Sequence, residues 1–306
     1  MENVYRKFYR ACYMHTGGYI PAKPLNEPIY PGDFFQLRNG EMILLGNIFR
    51  AGVIDPGNAQ LSSGVRLNGP LWNFSEDITK PYAGRGHGHG PVEGEFEFSR
   101  QIIGFSSRGS FFFRGNEPES TRIANWNELQ QAVIIRMTQT MFSFRQLYVV
   151  VDTASLADWT LAISGSSKGE LEIATDRENF NLLDLFGNSS SRTVQSKEID
   201  YYHREAQRKP SFFRAKKLVV QDEKIETFIS DYIGRMTSRY EWANAFFEYD
   251  FQHDSSYSTI TSQNTSATML DMLQANELNP NTALLYFKWA DANLDDIEKM
   301  FVQDGD

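Results

Sequence analysis

The sequence predicts an α+β fold: a twisted, mainly antiparallel sheet with flanking helices, an N-terminal amphipathic helix and a short helical C-terminal tail. Three observations predict it. Phe (23) and Tyr (14) are abundant among the 306 residues, which favours strands over a helical bundle. Short apolar or alternating runs, bounded by Gly, Pro, Asn and Ser, recur from Gly18 to Val220. Helical spacing is confined to the two ends of the chain and a few internal stretches. With 41% apolar and 23% charged residues the chain can build a substantial core, and its length suggests about two domains, or one large domain with an appendage.

Asn3–Met14 reads as a short basic amphipathic helix. Val4, Phe8, Ala11 and Cys12 share one side, Arg6, Lys7 and Arg10 point elsewhere, and Gly17-Gly18 ends it. Gly18–Leu25 and Gly32–Leu45 read as strands, with Asn39-Gly40 marking a two-residue hairpin turn. Arg50–Gly90 has little periodicity and reads as mostly loop, its last stretch Gly84–Gly90 being too glycine-rich for a regular element.

Strand patterns return over Val92–Arg114. Asn125 and Glu128 then form a capping-box pattern opening a helix with Leu129, Val133, Ile134 and Met137 on one side. Leu147–Val151 reads as a strand buried on both faces. Trp159–Ile163 and Glu170–Ala174 are strands separated by a Ser/Gly-rich tip, Arg177–Phe186 is a short helix, and Thr193–Arg204 and Phe212–Val220 are further strands.

The longest helix is expected at Glu223–Phe247, with an apolar stripe from Ile225 to Phe247. A Ser- and Thr-rich stretch, residues 252–268, reads as a linker. Beyond it, short helices are expected at Met269–Asn276, Thr282–Trp289 and Leu294–Phe301. Leu284, Leu285, Phe287, Trp289, Ile297, Met300 and Phe301 are too apolar for a free tail, so this segment must dock on something.

Composition also bounds function. The longest apolar runs, such as Leu147–Val151, are far too short for a membrane-spanning helix. Arg6, Lys7 and Arg10 interrupt the place where a secretory signal would need its apolar core. The lone Cys12 excludes an intramolecular disulfide and a cysteine-built zinc site, which points to a reducing, cytosolic setting.

The net charge of −9 is unevenly placed. Residues 252–306 carry −7, and the other 251 residues only −2. Within that nearly neutral part, Arg204, Arg208, Lys209, Arg214, Lys216 and Lys217 stand within fourteen residues, opposed by Glu205 alone. They form either a solvated strand surface or a surface that meets phosphates. Aromatic neighbours Tyr201, Tyr202, Phe212 and Phe213 raise the idea of nucleic acid, but the acidic balance and the lack of a module pattern argue for no nucleic-acid partner.

Catalytic motifs are missing. There is no nucleophile elbow and no phosphate-binding glycine loop. His87 and His89 form an i, i+2 pair without an acid or thiol beside them in sequence, so a flexible glycine loop is preferred to a metal-dependent hydrolase site. Glu95/Glu97 and Glu170/Glu172 alternate with apolar residues as solvated strand faces do. The chain is expected to be no enzyme and to need no cofactor or metal.

The opening helix followed by Gly18-Tyr19-Ile20-Pro21 and a hairpin, together with Leu147–Ala154 entering a polar hairpin, resembles the gasdermins. These are pore-forming proteins held inactive by a C-terminal segment until a protease cuts the linker. The resemblance covers most of Val4–Phe247, and the short tail matches the smaller microbial members. It implies a pore-forming domain at residues 1–251, a linker at 252–268 and an acidic inhibitory tail at 269–306. It implies strands from Val92–Arg114 and Trp159–Ala174 in a β-barrel pore after activation.

Arg6, Lys7, Arg10, Arg204, Arg208, Lys209, Arg214, Lys216 and Lys217 would then meet anionic membrane lipids. Cys12 becomes a lipidation candidate, although the residues alone read it as a buried apolar cysteine. Cleavage is implied between His253 and Ala267, a stretch that includes Asp254 and Ser262. The partners implied are an activating protease, anionic lipids and further copies of the chain. The location implied is cytoplasmic at rest and the inner or plasma membrane after activation, with cell death in antiviral defence as the outcome. The alternative is a non-enzymatic assembly protein, such as a phage or secretion-system component, whose tail docks on another subunit.

Overall fold

The computed structural model describes residues 3–89, 95–137, 147–175, 192–220, 283–285 and 287–302. The helices expected at Glu223–Phe247, Arg177–Phe186 and Met269–Asn276, and the linker at 252–268, lie outside these residues.

Helix α1 spans Asn3–Thr16. Val4, Phe8 and Cys12, each one turn apart, are buried and Ala11 is half-buried. Gly17 and Gly18 take positive φ of 72° and 105°, and the Gly18 N–H donates to the Tyr13 carbonyl at 2.8 Å, closing the helix. A two-residue strand β1 (Ile20–Pro21) follows, then the hairpin β2 (Asp33–Arg38) and β3 (Glu41–Asn47). Asn39 and Gly40, both at positive φ, form its turn as the sequence predicts.

The next strands are β4 (Leu61–Arg66), β5 (Asn73–Glu76), β6 (Ile78–His89), β7 (Glu95–Phe105), β8 (Phe111–Asn116) and β9 (Glu119–Ile123). Helix α2 (Trp126–Met137) precedes β10 (Leu147–Leu156), β11 (Asp158–Ser164), β12 (Glu170–Thr175), β13 (Arg192–Lys197), β14 (Ile199–Glu205) and β15 (Lys209–Val220). The described tail supplies β16 (Phe287–Asp291) and α3 (Leu294–Lys299). Every strand pairing among the described residues is antiparallel, as expected, and the sheets do not close into a barrel.

Four long stretches of chain run side by side through three successive sheets. The upper sheet holds β15-β10-β9-β4, the middle one β14-β11-β8-β5 and the lower one β13-β12-β7-β6, so each stretch keeps its place. Between the middle and lower sheets, the outer stretches break at single residues of positive φ, Asp77 (55°) and Glu198 (53°). The inner stretches break at 106–110 and 165–169. Hydrogen bonds knit this line: the Ser106 N–H donates to the Asp77 carbonyl at 3.0 Å, and the Gly165 N–H to the Glu198 carbonyl at 2.9 Å. The β2–β3 hairpin extends the upper sheet beyond β10, while β1 and β16 pair with the opposite edge of β15.

Several expectations are corrected. Residues 84–89 are not loop: they pair with β7 from Gly84 opposite Arg100 to His89 opposite Glu95, because a partner strand supplies the order that glycine lacks locally. Arg50–Gly90 likewise contains β4, β5 and β6. The strands at 159–163 and 170–174 do not pair with each other; they belong to the middle and lower sheets. Thr193–Arg204 is two strands, broken at Glu198. Within the helix expected at Thr282–Trp289, residues 283–285 are helical but 287–291 form β16, since pairing with β15 overrides local spacing. Helix α2 starts as expected and the Asn125 Nδ2 donates to the Glu128 carboxylate at 3.1 Å, but in place of the helix N–H groups the Asn125 side chain serves the 58–60 loop: its Oδ1 accepts from the Gln60 N–H at 2.8 Å and its Nδ2 donates also to the Asn58 carbonyl at 2.9 Å.

The main core lies between α1, the upper sheet and the middle sheet and is rich in aromatic rings. Phe8 meets Phe74, Phe111 and Phe113 with ring centroids 5.2–6.1 Å apart. A second core lies under α2, where Trp126, Leu129 and Val133 cluster with Phe34, Leu147, Val149 and Phe287.

Candidate functional site: a basic surface under an acidic tail

The tail crosses the upper sheet in three steps. Strand β16 pairs with β15 from Val220 opposite Phe287 to Lys216 opposite Asp291. The Ala292 N–H then donates to the Ala215 carbonyl at 2.9 Å, and Asn293 caps α3 by accepting from the N–H groups of Asp295 and Asp296. Apolar anchors hold each step. Phe287 enters the second core, Ile297 and Met300 enter the main core, and the Trp289 Nε1 donates to the Gln130 carbonyl of α2 at 2.9 Å.

Four of the nine predicted lipid-binding residues are paired by this tail. Arg6 and Arg10, one turn apart on α1, both reach the Glu298 carboxylate of α3. Lys216 Nζ stands 2.7 Å from Asp291, and Lys217 Nζ stands 2.8 Å from Asp296. Asp296 is 2% exposed and also accepts from the Tyr148 hydroxyl at 2.8 Å and the Asn293 N–H at 2.8 Å. Burial pushes its carboxyl up, but Lys217 and these hydrogen bonds outweigh burial and hold it below the usual carboxylate range. Burial, with Asp296 beside it, pushes the Tyr148 hydroxyl up.

Four others are paired within the body. Lys7 bridges Glu76 at 3.4 Å and Asp77 at 3.2 Å, tying α1 to the break between middle and lower sheets. Arg208 meets Glu117 and Glu119, and Lys209 meets Glu205 at 2.9 Å. Arg214 lies over the Tyr19 ring, 3.8 Å from Asp152, and donates to the Gly17 carbonyl at 2.7 Å. Arg204, on β14, stands opposite Thr160. The sequence cluster is thus divided, and α1 joins Lys216 and Lys217 under the tail.

Sequence reasoning also missed the tail contacts of Lys23, Tyr148 and Tyr9. Lys23 donates to the Gly40 carbonyl at 2.6 Å and to the Met300 carbonyl, with Nζ 4.7 Å from the Phe301 ring centroid. Tyr148 binds Asp296, and Tyr9 packs edge-on against Phe301 at 5.0 Å. The only signal for these was the apolar, acidic character of the tail itself.

Cys12 is wholly buried in the main core, where burial pushes its thiol far up, so this conformation does not present it to an acyl donor. The strand register sets His87 opposite Glu97 and His89 opposite Glu95. His253, Asp254, Ser262 and Ala267 lie outside the described residues. Among the described residues no helix is long and apolar enough to cross a membrane, and no group of three or more His, Cys, Asp or Glu could hold a metal.

No protein-family model matches the chain, and no curated protein matches it either. Among solved structures, the chain is similar to the gasdermin A3 membrane pore determined by cryo-EM, with 12% identity and a TM-score of 0.30, covering 71% of this chain and 90% of the other. It is similar also to a bacterial gasdermin from Bradyrhizobium tropiciagri, with 12% identity and a TM-score of 0.28, covering 69% of this chain and 86% of the other. Both are members of the family that the sequence resembles.

Proposed function

We propose that this chain is a gasdermin-like pore former kept at rest by its own tail. Residues 1–251 form the pore-forming part, 252–268 the cleavable linker and 269–306 the inhibitory tail. One observation carries the reading: the acids of the tail, Asp291, Asp296 and Glu298, pair with Lys216, Lys217, Arg6 and Arg10, the cations an anionic bilayer would take. Cleavage between His253 and Ala267 by an activating protease frees those four cations. At roughly 1 kcal/mol each near an anionic surface, they contribute on the order of a thousandfold in membrane partitioning. Copies then gather on the inner or plasma membrane and pair their β6–β7 and β12–β13 ribbons into a barrel. The resting form is cytoplasmic, no catalysis or cofactor is involved, and permeabilisation kills the cell as antiviral defence.

The test places a site-specific protease sequence in the linker and follows dye release from anionic liposomes. Release that requires both cleavage and anionic lipid supports the reading. Cleaved protein that binds neither liposomes nor itself overturns it, and favours an assembly protein whose tail docks on another subunit.

A further inference from the structure

Strands β3 and β16 stand at opposite ends of the same cross-strand rows. One row runs Leu44, Phe35, Tyr148, Lys217, Ala290, through β3, β2, β10, β15 and β16 in turn. The next begins at Gly46 and runs through Phe34, Val149 and Lys216 to Asp291. Each pairing along the row is antiparallel, so β3 runs parallel to β10 and antiparallel to β15. Strand β16 is also antiparallel to β15. The two end strands therefore run in the same direction at the same level of the sheet.

Their surroundings differ. The edge of β15 is covered by the tail, while the far side of β3 has no strand beside it among the described residues. Ile43 and Leu44, in the middle of β3, are 38% and 55% exposed. An apolar edge strand of this kind invites a further strand. The tail also touches the far end of the same hairpin, since Lys23 ties the Met300 carbonyl to that of Gly40 in the β2–β3 turn.

We infer that, once the tail has left, β3 of a second copy takes the place of β16 on β15, so that the tail is a stand-in for the neighbour's β3. This rests on the proposed release of the tail. A neighbouring copy in the same orientation brings Leu44 to the row of Lys217 and sets Glu41–Leu45 along Val220–Lys216, the stretch that β16 now fills. The contact is head-to-tail, with a different edge used on each side, and so propagates from copy to copy. The partner is a second copy of this chain, and the tail blocks assembly as well as the cationic surface.

The experiment uses the full chain in a Cys12→Ala background with the cleavable linker. Val219→Cys is combined in turn with Met42→Cys, its opposite in the proposed register, and with Leu44→Cys, two residues along on the same face of β3, so that the Lys217–Asp296 pair stays intact, and the protein is oxidised on anionic liposomes before and after cleavage. Within one copy β3 and β15 are three strand spacings apart, roughly 14 Å, too far for a disulfide. The expected result is a ladder of cross-linked copies after cleavage in one of the two combinations, none before cleavage, and none with either cysteine alone. Cleaved protein that assembles by light scattering without cross-linking in either combination overturns the inference while the pore reading stands. Cleaved protein that stays monomeric on liposomes overturns both. As a second variant, Leu44→Lys lies on the exposed edge: it should leave the melting temperature of the uncleaved chain unchanged and reduce assembly after cleavage by tenfold or more.

Discussion

Lys217 and Asp296 join the sheet to the tail at 2.8 Å, and the carboxylate of that pair is almost wholly withdrawn from water. Removing one member of such a pair leaves the other desolvated without compensation. Asp296→Ala should therefore weaken tail docking by about 3–5 kcal/mol. The exposed Asp295→Ala, whose side chain makes no bond to the body among the described residues, should cost under about 1 kcal/mol. Hydrogen exchange at the β15–β16 amides reads the difference directly, and equal protection in the two variants would remove Asp296 from the latch.

Glu298 should behave differently. Its partners Arg6 and Arg10 are 45% and 49% exposed, so screened pairs of this kind contribute under about 1 kcal/mol each. Glu298→Gln should barely change stability. Glu298→Lys places like charges beside both arginines, and should raise binding of the uncleaved chain to anionic liposomes several-fold. Restoring low binding with Arg6→Glu and Arg10→Glu together would be ambiguous, because those changes also remove cations. The informative measurement is tail protection, which the triple variant should recover.

Acid should loosen the tail. The Asp296 carboxyl is depressed in the folded chain, so its contribution is fully present above the unfolded value, about 3.9, and is lost as pH falls through the lower folded value. Cleavage of the tail by an acid-active protease should therefore accelerate below about pH 4, and the Asp296→Asn variant should lose that dependence. Whole-chain melting is a poorer readout, because burial raises the Asp152 carboxyl and gives a contribution of opposite sign.

The break between the middle and lower sheets can be tested at Glu198, whose φ is 53°. A β-branched residue fits that conformation poorly. Glu198→Val should cost about 1–2 kcal/mol, whereas Glu198→Gly should be neutral to slightly stabilising, by denaturant titration. If Val were tolerated as well as Gly, the outer strand would not need this turn.

Some of this arrangement is legible residue by residue. The buried stripe of Val4, Phe8 and Cys12, the glycine stop at Gly17-Gly18, the Asn39-Gly40 turn and the apolar run at Leu147 all act through near neighbours, and each appears where the sequence puts it. Strand β6 and strand β16 do not read out, because glycine-rich and helix-patterned segments become strands only through partners far away in the chain. The site was half visible. Splitting the charge into −7 and −2 announces that an acidic segment seeks a basic one, but sequence does not say which base. Lys7, Arg208, Lys209 and Arg214 are spent inside the body, whereas Lys23 and Tyr148 join the tail through carbonyls and a carboxylate that only the fold brings near.

The four stretches that run through all three sheets carry one more consequence. Four is even, so the first and last stretches point in opposite directions, and copies set side by side in one orientation meet antiparallel at every seam. Strand direction then places no restriction on how many copies a closed ring contains. In the assembly proposed above, adding one copy therefore creates no mismatched seam, whatever the number of copies.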